Sequence, residues 1–288
     1  MTAECRRSAL RAIKKAIKLR QHAGIASDQP CNVYDLAEGL NVEVRFANLP
    51  SVEGVYSPGK PTIIVSSLRP PGRQAFTCAH ELGHHLYGHG EQFDEIVEER
   101  ATSRTHDPKE FEADCFASAL LITKTSVMKA LAVRGFSPKT LSADQVYWIA
   151  SWLGVGYTTL VSNMNWGLDL LTKDQAEALL KIRLPQIRHS ILGYECKDHL
   201  VVVDEAWTNV AIDVQVGDVV VLPSSVVVEG NVVSKFGHNS TQIIVRAEQP
   251  GVGRVSVAPS NWANFIRVSR KQFSGLARFR HLEETDDE

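Results

Sequence analysis

Cysteine is scarce and poorly placed for cross-linking. The five thiols of this 288-residue chain are Cys5, Cys31, Cys78, Cys115 and Cys196, odd in number and widely scattered. None forms a C-x-x-C pair, and disulfides are not expected in a reducing compartment. An excess of charge of one sign is missing too. Lys and Arg total 31 against 33 Asp and Glu, a formal net charge of −2. No overall basic field would draw the chain to nucleic acid or to an anionic membrane. No apolar run approaches the ~20 residues that span a bilayer. The N-terminus carries Arg6, Arg7, Arg11, Lys14, Lys15 and Lys18 and lacks the apolar core of a signal peptide. The expectation is a cytoplasmic protein without a membrane segment. Hydrophobic content of 44% and charged content of 22% suit an ordinary globular protein.

One motif stands out against this plain background. Residues 80–84 read His-Glu-Leu-Gly-His, the H-E-x-x-H pattern of zinc peptidases. Residues four apart on a helix share a face, so His80 and His84 can reach one metal ion. Glu81 stands beside that metal without binding it. It can take a proton from an activated water and return it to a leaving amine. Such a site needs a third protein ligand and one position left open.

The segment Asp107 to Asp114 supplies the ligand. Asp107 suits an N-cap, Pro108 the first helical position, and Phe111 to Leu121 form a helix readily. Glu110, Ala113, Asp114 and Ala117 share one stripe of that helix. Glu110 is the candidate third ligand. Asp114, one turn on, can accept the outer ring N–H of a ligating histidine. Glu112 points about 200° round from Glu110 and is the weaker candidate. The competing reading is that Glu110 and Asp114 form a solvated face. Ala113, Ala117 and Gly83 are small enough to let two helices approach closely. His89 would serve as a ligand only if the chain turned back after the motif, and His85 faces away by about 100°.

The stretch from Asn32 to Leu121 resembles the ImmA/IrrE family of metallo-endopeptidases, bacterial and phage proteins that cleave helix-turn-helix repressors. The resemblance is carried by Val33-Tyr34-Asp35-Leu36-Ala37, Leu40-Asn41-Val42-Glu43-Val44, Glu53-Gly54-Val55-Tyr56 and Thr62-Ile63-Ile64-Val65. It continues through Phe76 to His89 and through Glu110 to Leu121. Two elements depart from the family pattern. Asp114 stands where Asn is usual, similar to the E-x-x-x-D element of other gluzincin-type peptidases. Ile122-Thr123 replaces a Met-Pro.

The remaining chain is read more coarsely. Ala3 to His22 is an amphipathic helix, its basic residues more in keeping with a solvated face than with a partner site. Val33 to Gly39 is a second helix. Val42 to Phe46, Val55 to Tyr56 and Thr62 to Ser66 are strands, the last a candidate edge for an extended substrate. Glu91 to His106 reads as a mobile connection or lid. Gln145 to Leu153, Gly154 to Gly156 and Tyr157 to Met164 have helix-turn-helix spacing. The second of these helices has no cation, which favours packing over DNA reading. From about Leu184 short β-branched runs predominate. Gly251-Val252-Gly253 lacks the context of a dinucleotide loop. Asn239-Ser240-Thr241 fits a glycosylation pattern without relevance in the cytoplasm. Cys78 and Cys115 are read as small buried hydrophobes. For stabilising an oxyanion the candidates are Tyr87, Tyr147, His106, His189, His199 and His238.

The expected fold is α+β. A zincin-like peptidase core, with a small N-terminal sheet and active-site helices, occupies 1–125. A helical, helix-turn-helix-like region covers 126–183, a β-rich C-terminal domain 184–282 and an acidic tail 283–288. The expected cofactor is zinc (Zn2+), held by His80, His84 and Glu110, with Glu81 as catalytic base. The resemblance implies a protein substrate, a helix-turn-helix repressor or antitoxin-like regulator, whose cleavage relieves repression. The alternative is a non-catalytic, regulator-binding or DNA-associated module with a vestigial or structural zinc site. Glu81 discriminates the two, since a structural site needs no carboxylate there.

Overall fold

A computed structural model of the chain describes residues 3–95, 107–208, 210–238, 242–257 and 261–282. Most of the expected lid with His106, the Asn239-Ser240-Thr241 triplet and the acidic tail at 283–288 lie outside these described residues. The fold is mixed α+β, with a β-rich C-terminal part. The chain divides into two compact units. The first is Met1–Lys129, Leu153–Val155 and Ser274–Arg278; the second is Ala130–Trp152, Gly156–Phe273 and Phe279–Glu288.

In chain order the first unit begins with α1 (Ala3–His22), α2 (Val33–Gly39), β1 (Glu43–Ala47), β2 (Val52–Ser57) and β3 (Thr62–Ser66). It continues with α3 (Pro71–Tyr87), β4 (Gln92–Glu95) and α4 (Pro108–Leu121). Local chemistry sets the helix starts. The Asn32 side chain accepts from the N–H groups of Tyr34 and Asp35, and that of Asp107 from Lys109. Pro71 and Pro108 open α3 and α4, where a missing N–H costs nothing.

A helix α5 (Lys124–Val133) follows. The combined stretch Pro108–Val133 is long and apolar enough to pass as a membrane span by length and composition, so the expectation that no apolar run approaches that length does not hold for it. Here it is two helices, broken where Ile122 leaves helical geometry at φ −125°. Ala113, Phe116, Ala117 and Leu120 on α4 are fully buried. They pack in the first unit, where α4 lies against both α1 and α3. A Cβ on Gly83 of α3 would stand 3.3 Å from Cα of Ala113 and 3.1 Å from Phe116, so a small residue there sets the helix spacing. Arg20 of α1 is 2% exposed and donates to the carbonyls of Leu120, Ala26 and Gln29.

The second unit carries α6 (Ala143–Leu153, shared at its end with the first unit), α7 (Tyr157–Trp166), α8 (Lys173–Leu180) and α9 (Leu184–Leu192). Tyr157, Leu160, Val161 and Met164 of α7 are buried. The helical run continues to Leu192, so the β pattern starts at Leu200 and not near Leu184. Both extra helices carry start signals: Thr172 and Gln175 form a capping box for α8, and Pro185 lies in the first turn of α9.

The strands that follow are β5 (Leu200–Val202), β6 (Ile212–Gln215), β7 (Val219–Pro223), β8 (Val226–Glu229), β9 (Val233–His238), β10 (Gln242–Ala247), β11 (Gly251–Val257) and β12 (Ala263–Ser269). They form two four-stranded sheets, ordered β5-β7-β10-β9 and β6-β12-β11-β8. Gly251 and Gly253 are part of strand β11.

A last strand, β13 (Gly275–Leu276), belongs to the first unit. The sheet there runs β13-β1-β3-β2-β4. β3 pairs in parallel with β1 and antiparallel with β2. Thr62–Ser66 is therefore an inner strand and not the edge expected for substrate. Three short apolar runs do not reveal their order, and β4 sits in a segment that reads as polar linker. Among the described residues β4 is an end strand of this sheet.

Candidate metal centre

The H-E-x-x-H residues lie in the second half of α3, which ends at Gly88 in the left-handed region, φ 66°. His80, Glu81 and His84 are 2%, 0% and 1% exposed. The helix period points both histidines toward α4, whose small Ala113 admits them. There Glu110 meets both rings. Its Oε2 lies 3.3 Å from Nε2 of His80 and its Oε1 3.3 Å from Nε2 of His84. The two Nε2 atoms are 2.9 Å apart. Donors ~2.0–2.2 Å from a shared tetrahedral ion stand roughly 3.3–3.5 Å from one another, a spacing that the two carboxylate–imidazole distances match and the Nε2–Nε2 distance falls short of. Among the described residues His80, His84 and Glu110 form a group able to hold a metal ion, their donor atoms within 4.8 Å of one another.

Both rings have outer partners. Oδ1 of Asp114 lies 2.9 Å from Nδ1 of His80, as its position one turn after Glu110 leads one to expect. Burial alone would lower the His80 pKa. The hydrogen bonds to Asp114 and Glu110 outweigh burial and raise it to about 10. The partners around this ring therefore favour positive charge at the cluster.

His84 is served differently. Gly88 turns the chain back, the His89 N–H donates to the His84 carbonyl, and Nδ1 of His89 arrives 2.9 Å from Nδ1 of His84. The reversal needed for His89 to approach the site does occur, but the ring meets a ligand's outer nitrogen. Nε2 of His89 faces Oε2 of Glu112 at 3.5 Å, and Oε1 of Glu112 accepts from Nε of Arg11 on α1 at 2.5 Å. Tyr87 stacks on His89 with centroids 5.5 Å apart. Burial holds the His89 pKa below its ordinary value. Spacing alone did not reveal the parts played by His89, Glu112 and Arg11. The signal in the sequence was a glycine just past the helix end.

Glu81 faces strand β2. A Cβ added to Gly54 would collide with Cγ2 of Thr77 and stand 2.9 Å from Oε1 of Glu81. Only glycine lets the strand pass this close to the carboxylate.

The remaining candidates fall elsewhere. His85 pairs its Nδ1 with the Tyr56 hydroxyl at 2.7 Å. Tyr87 lies under Arg11 and Lys15, their charged groups 5.8 and 4.3 Å from its ring centroid. The Tyr147 hydroxyl donates to the Leu200 carbonyl at 2.6 Å in the second unit, which also contains His189 and His199. His106 and the His238 side chain lie outside the described residues. Among the described residues no disulfide joins the cysteines; Cys78 is fully buried and Cys115 partly exposed.

Residues 37–156 match the family model of the IrrE N-terminal-like domain, Peptidase_M78. The match supports the resemblance of this segment's motifs to the ImmA/IrrE family and suggests a metallopeptidase. The match begins within α2 and ends just before α7, leaving α1 and the β-rich region outside it. A solved structure of a Mycobacterium tuberculosis transcriptional regulator is similar at 16% identity with a TM-score of 0.35, over 54% of this chain and 46% of that one. The chain thus covers less than half of that protein's length. No curated protein matches the chain.

Proposed function

We propose that the protein is a zinc-dependent endopeptidase of the cytoplasm that cleaves a helix-turn-helix repressor or antitoxin-like regulator, relieving repression as part of a stress response. The observation that carries this reading is the buried carboxylate of Glu81, held next to a His80–His84–Glu110 group inside a peptidase-family segment. Nitrogen and carboxylate donors in this set suit zinc, with a position left for water. Zinc there supplies Lewis acidity, lowering the pKa of a water toward ~7.

The chain's own residues do the rest. His80, His84 and Glu110 hold the ion, and Asp114 orients His80. Glu81 accepts the proton of the attacking water and delivers it to the departing amide nitrogen. Substrate backbone adds to the sheet at β4, which lies beside the strand that abuts Glu81. The charge balance and the cation-free α7 support a protein substrate over direct DNA binding.

Two measurements test this. Purified protein should contain about one zinc per chain, and His84→Ala or Glu110→Ala should lose it. Incubation with helix-turn-helix proteins encoded beside the gene should give a chelator-sensitive fragment. Salt-dependent DNA binding without any such cleavage overturns the reading.

A further inference from the structure

We infer that His89, Glu112 and Arg11 form a positioning chain behind His84, which orients that ring toward the metal and fixes its tautomer. The inference rests on the metal reading above and extends it to residues outside the ligand set.

A histidine that presents Nε2 to a metal carries its remaining proton on Nδ1. Nδ1 of His84 stands 2.9 Å from Nδ1 of His89, so the proton is donated there. His89 then carries its own proton on Nε2. That atom faces Oε2 of Glu112 at 3.5 Å, and a carboxylate only accepts. The other oxygen, Oε1, accepts from Nε of Arg11 at 2.5 Å. Every donor in the chain thus meets an acceptor in one pattern alone, the pattern that leaves Nε2 of His84 facing Glu110. With the opposite tautomer on His84, its Nδ1 could not donate to His89.

Burial supports the assignment. The Glu112 side chain is 4% exposed, and a carboxylate so placed needs partners. Its partners are His89 and Arg11, not the metal. Tyr87 stacks on His89 at an interplanar angle of 19° and limits its tilt. The two ligand rings are therefore braced by different means. His80 has a carboxylate directly on its outer nitrogen, while His84 has an imidazole backed by a carboxylate and a guanidinium. Loss of outer partners of this kind typically weakens metal binding by ~10–100-fold.

The test is zinc affinity of the full chain by chelator competition, with unfolding of the metal-free protein measured in parallel. His89→Leu and Glu112→Ala are each expected to weaken zinc binding by ~10–100-fold. The double variant should lose little more than the worse single, since both act through one ring. His89→Gln keeps an acceptor and a donor and should recover much of the loss. His85→Ala, on the same helix but paired with Tyr56, should bind zinc as the parent does. If Glu112→Ala fails to fold, Arg11→Ala decides, because that side chain is 67% exposed; a few-fold weakening is expected. Folded His89→Leu or Arg11→Ala with unchanged zinc affinity overturns the inference while leaving the metal site standing. A parent chain that binds no zinc overturns both.

Discussion

Oδ1 of Asp114 stands 2.9 Å from Nδ1 of His80, and that pairing decides which nitrogen of the ring remains for a metal. Removing the carboxylate in Asp114→Ala should weaken zinc binding by ~10–100-fold. Asp114→Asn keeps an oxygen that accepts the same N–H and should stay within a few-fold of the parent. Chelator competition distinguishes the two. Equal losses in both variants would show that charge, and not the hydrogen bond, is what matters.

Glu81 is assigned to proton transfer and not to metal binding. Glu81→Gln should therefore keep the full zinc equivalent and lower cleavage by ~10²–10⁴-fold, since an amide cannot take the proton. Metal analysis beside a cleavage assay reads both. Loss of zinc together with activity would place Glu81 among the ligands.

Gly54 makes a sharper test of how closely the sheet meets the helix. Gly54→Val puts side-chain atoms where Thr77 and Glu81 already are. Overpacking of this kind costs about 1–3 kcal/mol, so the unfolding midpoint should fall. Cleavage should fall further than stability accounts for, because Glu81 is pushed from its place. A variant as active and as stable as the parent would mean that the strand lies farther from Glu81.

Asp218 lies in the second unit, is 7% exposed and accepts the Gln215 N–H at 2.8 Å. Burial raises its pKa from 3.8 to about 7. Between those values the folded state holds a proton that the unfolded state has released. Its contribution to stability is thus greatest below pH 3.8 and is lost as pH rises through about 7. Asp218→Asn should remove this slope and unfold at a higher temperature than the parent above that pH. Thermal midpoints measured from acid to mildly alkaline pH read it. Parallel curves for parent and variant would contradict the shift.

Local chemistry made much of this legible beforehand. Asp107 and Pro108 announce α4, and the i, i+4 spacings of His80 with His84 and of Glu110 with Asp114 translate into shared faces. The expected edge position of β3 fails because strand order is set by pairing across long stretches of chain. Thr62–Ser66 looks the same whether inner or outer. Helix geometry ends at Tyr87 and does not extend to His89. What places its ring is the left-handed turn at Gly88, which periodicity does not describe. The partners of Glu112, Arg11 and His89, lie 101 and 23 residues distant. No spacing rule links such pairs.

The short strand β13 has a consequence for how the N-terminal sheet comes to be closed. Arg45 and Phe46 of β1 pair with Leu276 and Gly275, residues made long after β1. Until they emerge from the ribosome, one margin of the N-terminal sheet keeps its backbone groups open to any passing strand. A fragment trimmed to residues 37–156 would stay in that condition permanently, and it would also lack the N-terminal helix that caps Glu112. The boundaries by which kinship is recognised are therefore narrower than those within which this peptidase unit can close.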